Sequence, residues 1–330
     1  MDKPIGGEGT AAARAHSNIA LIKYWGKRDA ALNIPAVGSI SLTLDALSTD
    51  TRVTFRADLA EDEFWLGGRR EVAPRVSAIL DLVRQRASVE ARAVVSSTNN
   101  FPTSAGLASS ASGFAALTVA ACAAAGLTLG ERELSILARR GSGSAARSIF
   151  GGYAEMHAGT SADGSDSFAE QLLAGDDWPL SVVVAITQRE AKLVGSTAGM
   201  RDSAIGSPFY AAWLDTAGRD LADLRDAIAA RDFRGLGEAT EHSCLKLHAL
   251  MLSTRPALIY WNAATVAAIH AVKGLRADGI PVYFTIDAGP QLKALCGPDD
   301  TELVAAALAR VAGVHEVRSS TLGPGAYRLE

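Results

Sequence analysis

The stretch PTSAGLASSASGFAALTVAA, residues 102–121, constrains the chain more than any other. A loop of Pro, Gly, Ser and Ala runs directly into a segment that is apolar on nearly every side. A helix without a polar stripe has to be enclosed by protein rather than laid on a surface. The Ala-rich run 111–125 is too short to span a bilayer, and an arginine follows within ten residues. Burial inside a core therefore remains. The 330 residues, 48% of them hydrophobic, supply material for one large domain or two ordinary ones. The first four N–H groups of a helix have no intrahelical partner. With the helix dipole they favour an anion by about 0.3–1 kcal/mol when exposed and up to about 2 kcal/mol when partly buried. Small side chains let a phosphate approach the backbone, and Ser109 and Ser110 add hydroxyls as donors or as a magnesium ligand. Neither G-x-x-x-x-G-K-[ST] nor G-x-G-x-x-G is present. A closely packed helix start would call for the same small residues.

A formal net charge of −4 provides no general attraction to nucleic acid, so any anion site is local. The three cysteines, Cys122, Cys244 and Cys296, have no metal-ligand spacing and suit buried, reduced thiols. The N-terminus lacks the apolar core of a signal peptide. A soluble cytoplasmic protein is expected, with no nucleic-acid or membrane partner.

Residues 17–25 read as a strand ending in a polar turn. Alternation over 39–47 and again over 51–55 predicts two antiparallel strands, and 64–72 a hairpin around Gly67 and Gly68. Val76, Ile79, Leu80, Leu82 and Val83 space out a helix over 73–87, and 91–99 reads as a strand feeding the opening loop. Residues 131–153 read as a helix, a Gly/Ser turn and a second short helix. The acidic, Gly-rich segment 158–178 predicts an exposed connection, dividing the chain into 1–180 and 181–330. Beyond it come a strand buried on both faces (181–187), helices over 208–231, 234–252 and 261–277, and a strand over 281–286. Strands and helices without strict βαβ alternation predict an α+β fold.

Three further stretches bear on chemistry. RRGSGSAARS, 139–148, sets Ser142 and Ser144 before a short helix carrying Arg147. KYWGKRD gathers Lys23, Tyr24, Lys27 and Arg28, which would also suit a surface strand end. Asp287 in TIDAGP ends an apolar strand, where a carboxylate is costly unless paired, capping or functional. The six histidines show no ligand spacing, and His248 reads as a packing or hydrogen-bonding residue. Trp25 and Trp65 read as wall and core.

Together NIALIKYWGKRD, PTSAGLASSASGFA, GSGSAARSIFGGY and FTIDAGP resemble the diphosphomevalonate decarboxylases of the GHMP kinase superfamily, in family order along nearly the whole chain. LNIPAVGSISLTLD, VGSTAGM, KLHA and GPG support the likeness. The resemblance implies a GHMP fold: an N-terminal half with a left-handed βαβ crossover, C-terminal helices on an antiparallel sheet, and the active-site cleft between them. It implies that ATP with Mg²⁺ phosphorylates the 3-hydroxyl of (R)-5-diphosphomevalonate. Phosphate and CO2 then leave to give isopentenyl diphosphate and ADP. By the same resemblance Asp287, Lys23 and Arg147 are catalytic. Asp287 would orient the hydroxyl or take its proton, Lys23 would stabilise developing charge, and Arg147 would hold the substrate carboxylate. Tyr24, Lys27, Ser142, Ser144, Arg147 and Ser196 match substrate-binding positions. Ser104, Ala105, Gly106, Leu107, Ala108, Ser109 and Ser110 match the ATP-phosphate loop, with Ser110 the magnesium ligand. Relatives are commonly homodimers.

The chain departs from many relatives at Val37-Gly38, at Gly195-Ser196, at Gln291 after DAGP, and in the segment 242–244, which lacks an asparagine. These positions bear on how the distal phosphate is held. They leave a monophosphate substrate, as in phosphomevalonate decarboxylase, as an alternative. A mevalonate 3-kinase that only phosphorylates is a second, and a nucleotide-binding regulator with a decayed site a third. The retained Asp287, Lys23 and Arg147 argue against both of the latter, since unused buried charges do not compensate for their desolvation.

Overall fold

The computed structural model describes residues 9–101, 109–190 and 192–330. Ser104 to Ala108, the greater part of the expected ATP loop, lie outside the described residues. Two sheets organise the chain. In the first, the long strands Gly9–Ile22 and Ser39–Arg56 pair antiparallel, flanked by Tyr327–Leu329 on one side and Arg92–Asn99 on the other. Glu63–Leu66 joins Arg92–Asn99 in parallel, and the intervening helix Pro74–Ala87 completes a β-α-β crossover. Tyr153–Met156 pairs with the start of Ser39–Arg56 and with Ala169–Leu173.

The region expected as two strands, 39–47 and 51–55, is one strand of 18 residues. The polar residues 48–50 pair regularly with Arg14, Ala15 and His16, so no turn forms there, and the irregularity lies just before them. His16 faces Ser48 while Asn18 faces Thr43, so extra residues bulge from one strand against its partner. The hairpin at 64–72 forms as read. Gly67 and Gly68 both have positive φ and join Leu66 to Arg69 through a two-residue turn. The first strand begins at Gly9, well before residue 17, and ends at Ile22.

The helix Ser109–Ala124 has ten buried residues distributed round its circumference. It lies against Gly9–Ile22 and Ser39–Arg56 on one side and the helices Pro74–Ala87 and Glu131–Gly141 on the other, which is the enclosure its composition demanded. The short second helix after Glu131–Gly141 is a 3₁₀ turn, Gly143–Ile149, with Arg147 buried on it.

The second sheet is antiparallel, in the order Val282–Ile286, Leu292–Cys296, Ser181–Ile186, Glu316–Thr321. Every residue of Ser181–Ile186 is buried. The helices Phe233–Leu252, Ala263–Ala277 and Thr301–Ala309 line its one face around Val183, Phe284 and Ala294. Its other face contributes Val182, Val184 and Leu295 to a core shared with Ile19, Leu21, Ile40 and Leu42 of the first sheet. Thr285 Oγ1 donates to the Ala20 carbonyl at 3.2 Å across that junction. The shared core brings the end of the first strand against the end of strand Val282–Ile286, so that Lys23 and Asp287, both expected to be catalytic from the resemblance, meet there. No described helix is long and apolar enough to cross a membrane.

Candidate active site

A cleft of ≈ 460 Å³ opens where the two sheets meet. Lys23, Tyr24, Lys27, Ser109, Ser110, Ser142, Ser144, Arg147, Ser196 and Asp287 all line it, although they are spread over most of the chain. Arg28 does not; its guanidinium donates to the carbonyls of Thr160 and Ser161 on the surface. His248 is buried behind the cleft, where Trp261 Nε1 lies 3.2 Å from its Nε2. Burial holds its pKa down to about 3, so it is neutral. Trp25 is buried and forms part of the cleft wall, and Trp65 is partly buried on the Glu63–Leu66 strand. All three cysteines are buried and free.

Asp287 follows the strand Val282–Ile286 and is held by two ammonium groups. Lys23 Nζ donates to Oδ1 at 2.6 Å and Lys293 Nζ to Oδ2 at 3.1 Å. Lys23 also donates to the Ala20 carbonyl at 2.9 Å, which fixes its direction. Burial pushes the Asp287 carboxyl up, but the two lysines outweigh it and hold the pKa well below the usual carboxylate range. The carboxylate is thus a strong hydrogen-bond acceptor and a weak base.

Arg147 is buried with no described carboxylate within ion-pair reach. Its Nε donates to Ser41 Oγ at 2.9 Å, Nη1 to Ser39 Oγ at 2.5 Å and Nη2 to Asn18 Oδ1 at 3.1 Å. Burial lowers its pKa to about 10, still fully charged at neutral pH. A guanidinium has five N–H groups. Three are committed to neutral acceptors, and one on each Nη remains for an anion in the cleft.

Opposite lies a row of hydroxyls. Ser110 Oγ is 3.4 Å from Ser142 Oγ, which is 3.3 Å from Ser144 Oγ. The Tyr24 hydroxyl is buried without a described hydrogen-bond partner, and burial raises its pKa to about 12. It lies so close to Gly143 that a Cβ there would sit 2.6 Å from the oxygen, which accounts for glycine at that turn. An unpaired buried hydroxyl is costly, and this one is placed to donate to a ligand.

Several lining residues escaped the sequence reading, among them Asn18, Arg75, Lys192 and Ala20. Asn18 anchors Arg147 and donates to the Ser144 carbonyl at 2.9 Å and to Ser148 Oγ at 2.7 Å. Arg75 lies 4.7 Å over the Phe114 ring and donates to the Gly141 carbonyl at 3.0 Å. Lys192 donates to Ser196 Oγ and the Ala288 carbonyl, both at 2.8 Å. Ala20 completes the floor beside Lys23. Lys293, behind Asp287, also escaped. Its signal was present, since a lysine inside the apolar strand LKALC is as anomalous as an aspartate ending one. Lys192 and Arg75 carry no such signal, because a lone cation in a polar loop or first helical turn reads as solvated surface. Gln291, one of the departures, is buried and accepts from Thr187 N at 2.6 Å. It closes a strand end and does not line the cleft.

The lining carries five cations and one carboxylate within a chain of net charge −4. Such a concentration of positive charge and free donors recruits a small polyanion.

A helix-backed first sheet packed on an antiparallel second one, with anion donors converging at their junction, makes an α+β protein of the GHMP kinase type whose site is built for a small polyanion. Residues 15–169 match the diphosphomevalonate decarboxylase-like N-terminal domain, and residues 182–323 the mevalonate 5-diphosphate decarboxylase C-terminal domain. The chain belongs to the diphosphomevalonate decarboxylase family. It is 40% identical to the human diphosphomevalonate decarboxylase over 295 residues, 83% of this chain and 73% of that one. It is similar to a solved structure of MDDEF in complex with MVAPP, AMPPCP and magnesium. That match has 42% identity, a TM-score of 0.90 and coverage of 98% and 99% of the two chains. The mevalonate diphosphate decarboxylase from Enterococcus faecalis, studied for mevalonate diphosphate-mediated ATP binding, matches at 41% identity, a TM-score of 0.90 and the same coverage.

Proposed function

We propose that this protein catalyses the ATP-dependent decarboxylation of (R)-5-diphosphomevalonate to isopentenyl diphosphate, ADP, phosphate and CO2. The observation that carries the reading is Asp287, ion-paired on both oxygens, facing the same cleft as Arg147 and the helix start at Ser109. Asp287 accepts the hydrogen bond of the tertiary 3-hydroxyl and so aligns its oxygen with the γ-phosphate of ATP. Phosphoryl transfer depends on alignment and charge stabilisation, which a weakly basic carboxylate beside an ammonium supplies. Lys23 stabilises the charge that develops as the oxygen attacks. The two free N–H groups of Arg147 hold the substrate carboxylate as a fork. Phosphorylation converts a poor leaving group into phosphate. As the C–O bond breaks, the electrons of the carboxylate C–C bond form the alkene and CO2 departs. The Tyr24 hydroxyl, Lys27, Ser142, Ser144 and Ser196 take the diphosphate.

The donor set suits Mg²⁺ brought in with a nucleotide. Among the described residues no group of three His, Cys, Asp or Glu could hold a metal, whereas Ser110 offers a hard oxygen at the helix start. Ser110 with phosphate oxygens would hold the ion, which when bound neutralises phosphate charge. Ser110→Ala is expected to raise the KM for Mg-ATP about 2–10-fold, the worth of one hydrogen bond, with a smaller change for the other substrate. Initial-rate kinetics in both substrates check this, and the reverse pattern would exchange the two subsites.

Lys192 supplies charge to the same anions. Burial lowers its pKa to about 8 against the opposing pull of Asp287. Its charge is therefore complete well below pH 8 and is lost as pH rises through that value. Binding of 5-diphosphomevalonate is expected to weaken between pH 7 and 9 in the wild type and to hold steady in Lys192→Arg, measured by calorimetric titration. Equal pH dependence in both proteins would remove Lys192 from the anion site.

We read the chain as two units, 1–180 and 181–330, with the strand Tyr327–Leu329 returned to the first sheet. We read the protein as a cytoplasmic homodimer, following the family resemblance; sedimentation tests the association. The deciding assay supplies Mg-ATP with mevalonate, its 5-phosphate or its 5-diphosphate and measures ADP and CO2 from each. CO2 from the 5-phosphate alone would make the protein a phosphomevalonate decarboxylase. ADP without CO2 would make it a 3-kinase.

A further inference from the structure

Lys293 stands inside the second sheet, opposite Thr285 on one neighbouring strand and Val184 on the other. Only 1% of it is exposed, so solvent does not stabilise its ammonium. Its amine reaches Asp287 Oδ2 at 3.1 Å, while Lys23 takes Oδ1 at 2.6 Å. Two lysines thus share one carboxylate. A pair with Lys23 alone would neutralise Asp287, so the second buried charge is more than ion pairing requires. It lies behind the carboxylate and does not line the cleft.

We propose that Lys293 is a positioning residue for the reaction: it grips the rear oxygen of Asp287, so that the carboxylate stays ionised and keeps one orientation towards the substrate hydroxyl. The inference rests on the proposed decarboxylation. Burial and the nearby Lys23 ammonium lower the pKa of Lys293, and Asp287 opposes them. The groups facing this cluster are Lys23 just after the first strand, Cys244 and His248 from the helix Phe233–Leu252, Lys192 from the loop before Ser196, and Arg147 across the cleft. Cys244 and His248 are uncharged there, since burial raises the thiol to about 11 and lowers the imidazole to about 3. Lys23 and Lys293 are the cations in contact with the carboxylate.

The test compares Lys293→Met and Lys293→Arg in kcat and in the KM for Mg-ATP at neutral pH, and in thermal unfolding with and without Asp287→Asn. Removing one of the two ammonium groups frees the carboxylate to turn, so Lys293→Met is expected to lower kcat about tenfold or more while the KM for Mg-ATP stays within about twofold. Lys293→Arg, which keeps a cation against the rear oxygen, should recover most of that loss. Loss of Asp287 leaves two buried ammonium groups facing each other. Lys293→Met should therefore raise the melting temperature of Asp287→Asn, although it lowers that of the wild type. An unchanged kcat, no recovery in Lys293→Arg, or a lowered melting temperature in both backgrounds would overturn the proposal. The melting comparison requires no turnover. It therefore decides the role of Lys293 even if Lys293→Met alone is inactive, and separates that role from the identity of the substrate.

Discussion

Asp287→Asn is expected to lower kcat by about 10³-fold, within the range that a correctly placed acid–base or hydrogen-bonding group contributes. The amide keeps the shape of the carboxylate but reverses one of its faces. Where Asp287 presents two acceptors to Lys23 and Lys293, an asparagine must turn an NH2 towards one of them. The variant thus loses alignment of the hydroxyl and also leaves an ammonium facing a donor. The same change is expected to cost about 3 kcal/mol of stability, because breaking a buried ion pair strands its partner. ATP should bind within about threefold of wild type, since the helix start at Ser109 is not in contact with the altered group. Steady-state rates, nucleotide titration and thermal unfolding on one preparation separate these effects. A variant with unaltered turnover would remove Asp287 from the chemistry.

Arg147→Lys is the second large effect, about 10²-fold in kcat, or about 2.7 kcal/mol of barrier. The guanidinium is held at three nitrogens by Ser41, Ser39 and Asn18 and offers the remaining pair to the cleft. An ammonium has three donors in all and cannot both satisfy that cradle and grip a carboxylate by two bonds. The loss should fall on CO2 release more than on ADP formation, because the carboxylate must be fixed for elimination but not for phosphoryl transfer. Quench-flow measurement of ADP and CO2 in a single turnover reads the two steps apart. Equal retardation of both, or of neither, would mean that another group holds the carboxylate.

Much of this was visible in one dimension. The Gly/Ser/Ala run before an all-apolar helix announced an enclosed helix with an open start, because periodicity and side-chain size are local properties. Asp287, Lys23 and Arg147 stood out in short stretches whose surroundings made their charge costly or their spacing unusual. The segments 39–47 and 51–55 misled because Ser-Thr-Asp reads as a turn until a partner strand is known. Opposite Gly9–Ile22 those residues continue the strand in regular register, with the bulge just before them. Asn18, Arg75 and Lys192 were invisible for a related reason. Each becomes functional only through what stands across the cleft from it, and a polar residue near a turn is unremarkable in its own segment.

By itself, then, the order of residues determined most of the helices, the buried strand Ser181–Ile186, the family and the candidate groups for the chemistry, since these depend on neighbours along the chain. Only the packing of one sheet on the other decided that Asp287 would be shared by Lys23 and Lys293, and that Arg147 would rest on neutral oxygens with two bonds to spare. Charge interactions depend on separation and burial, and both are set by a core drawn from residues as distant as Ile19 and Leu295.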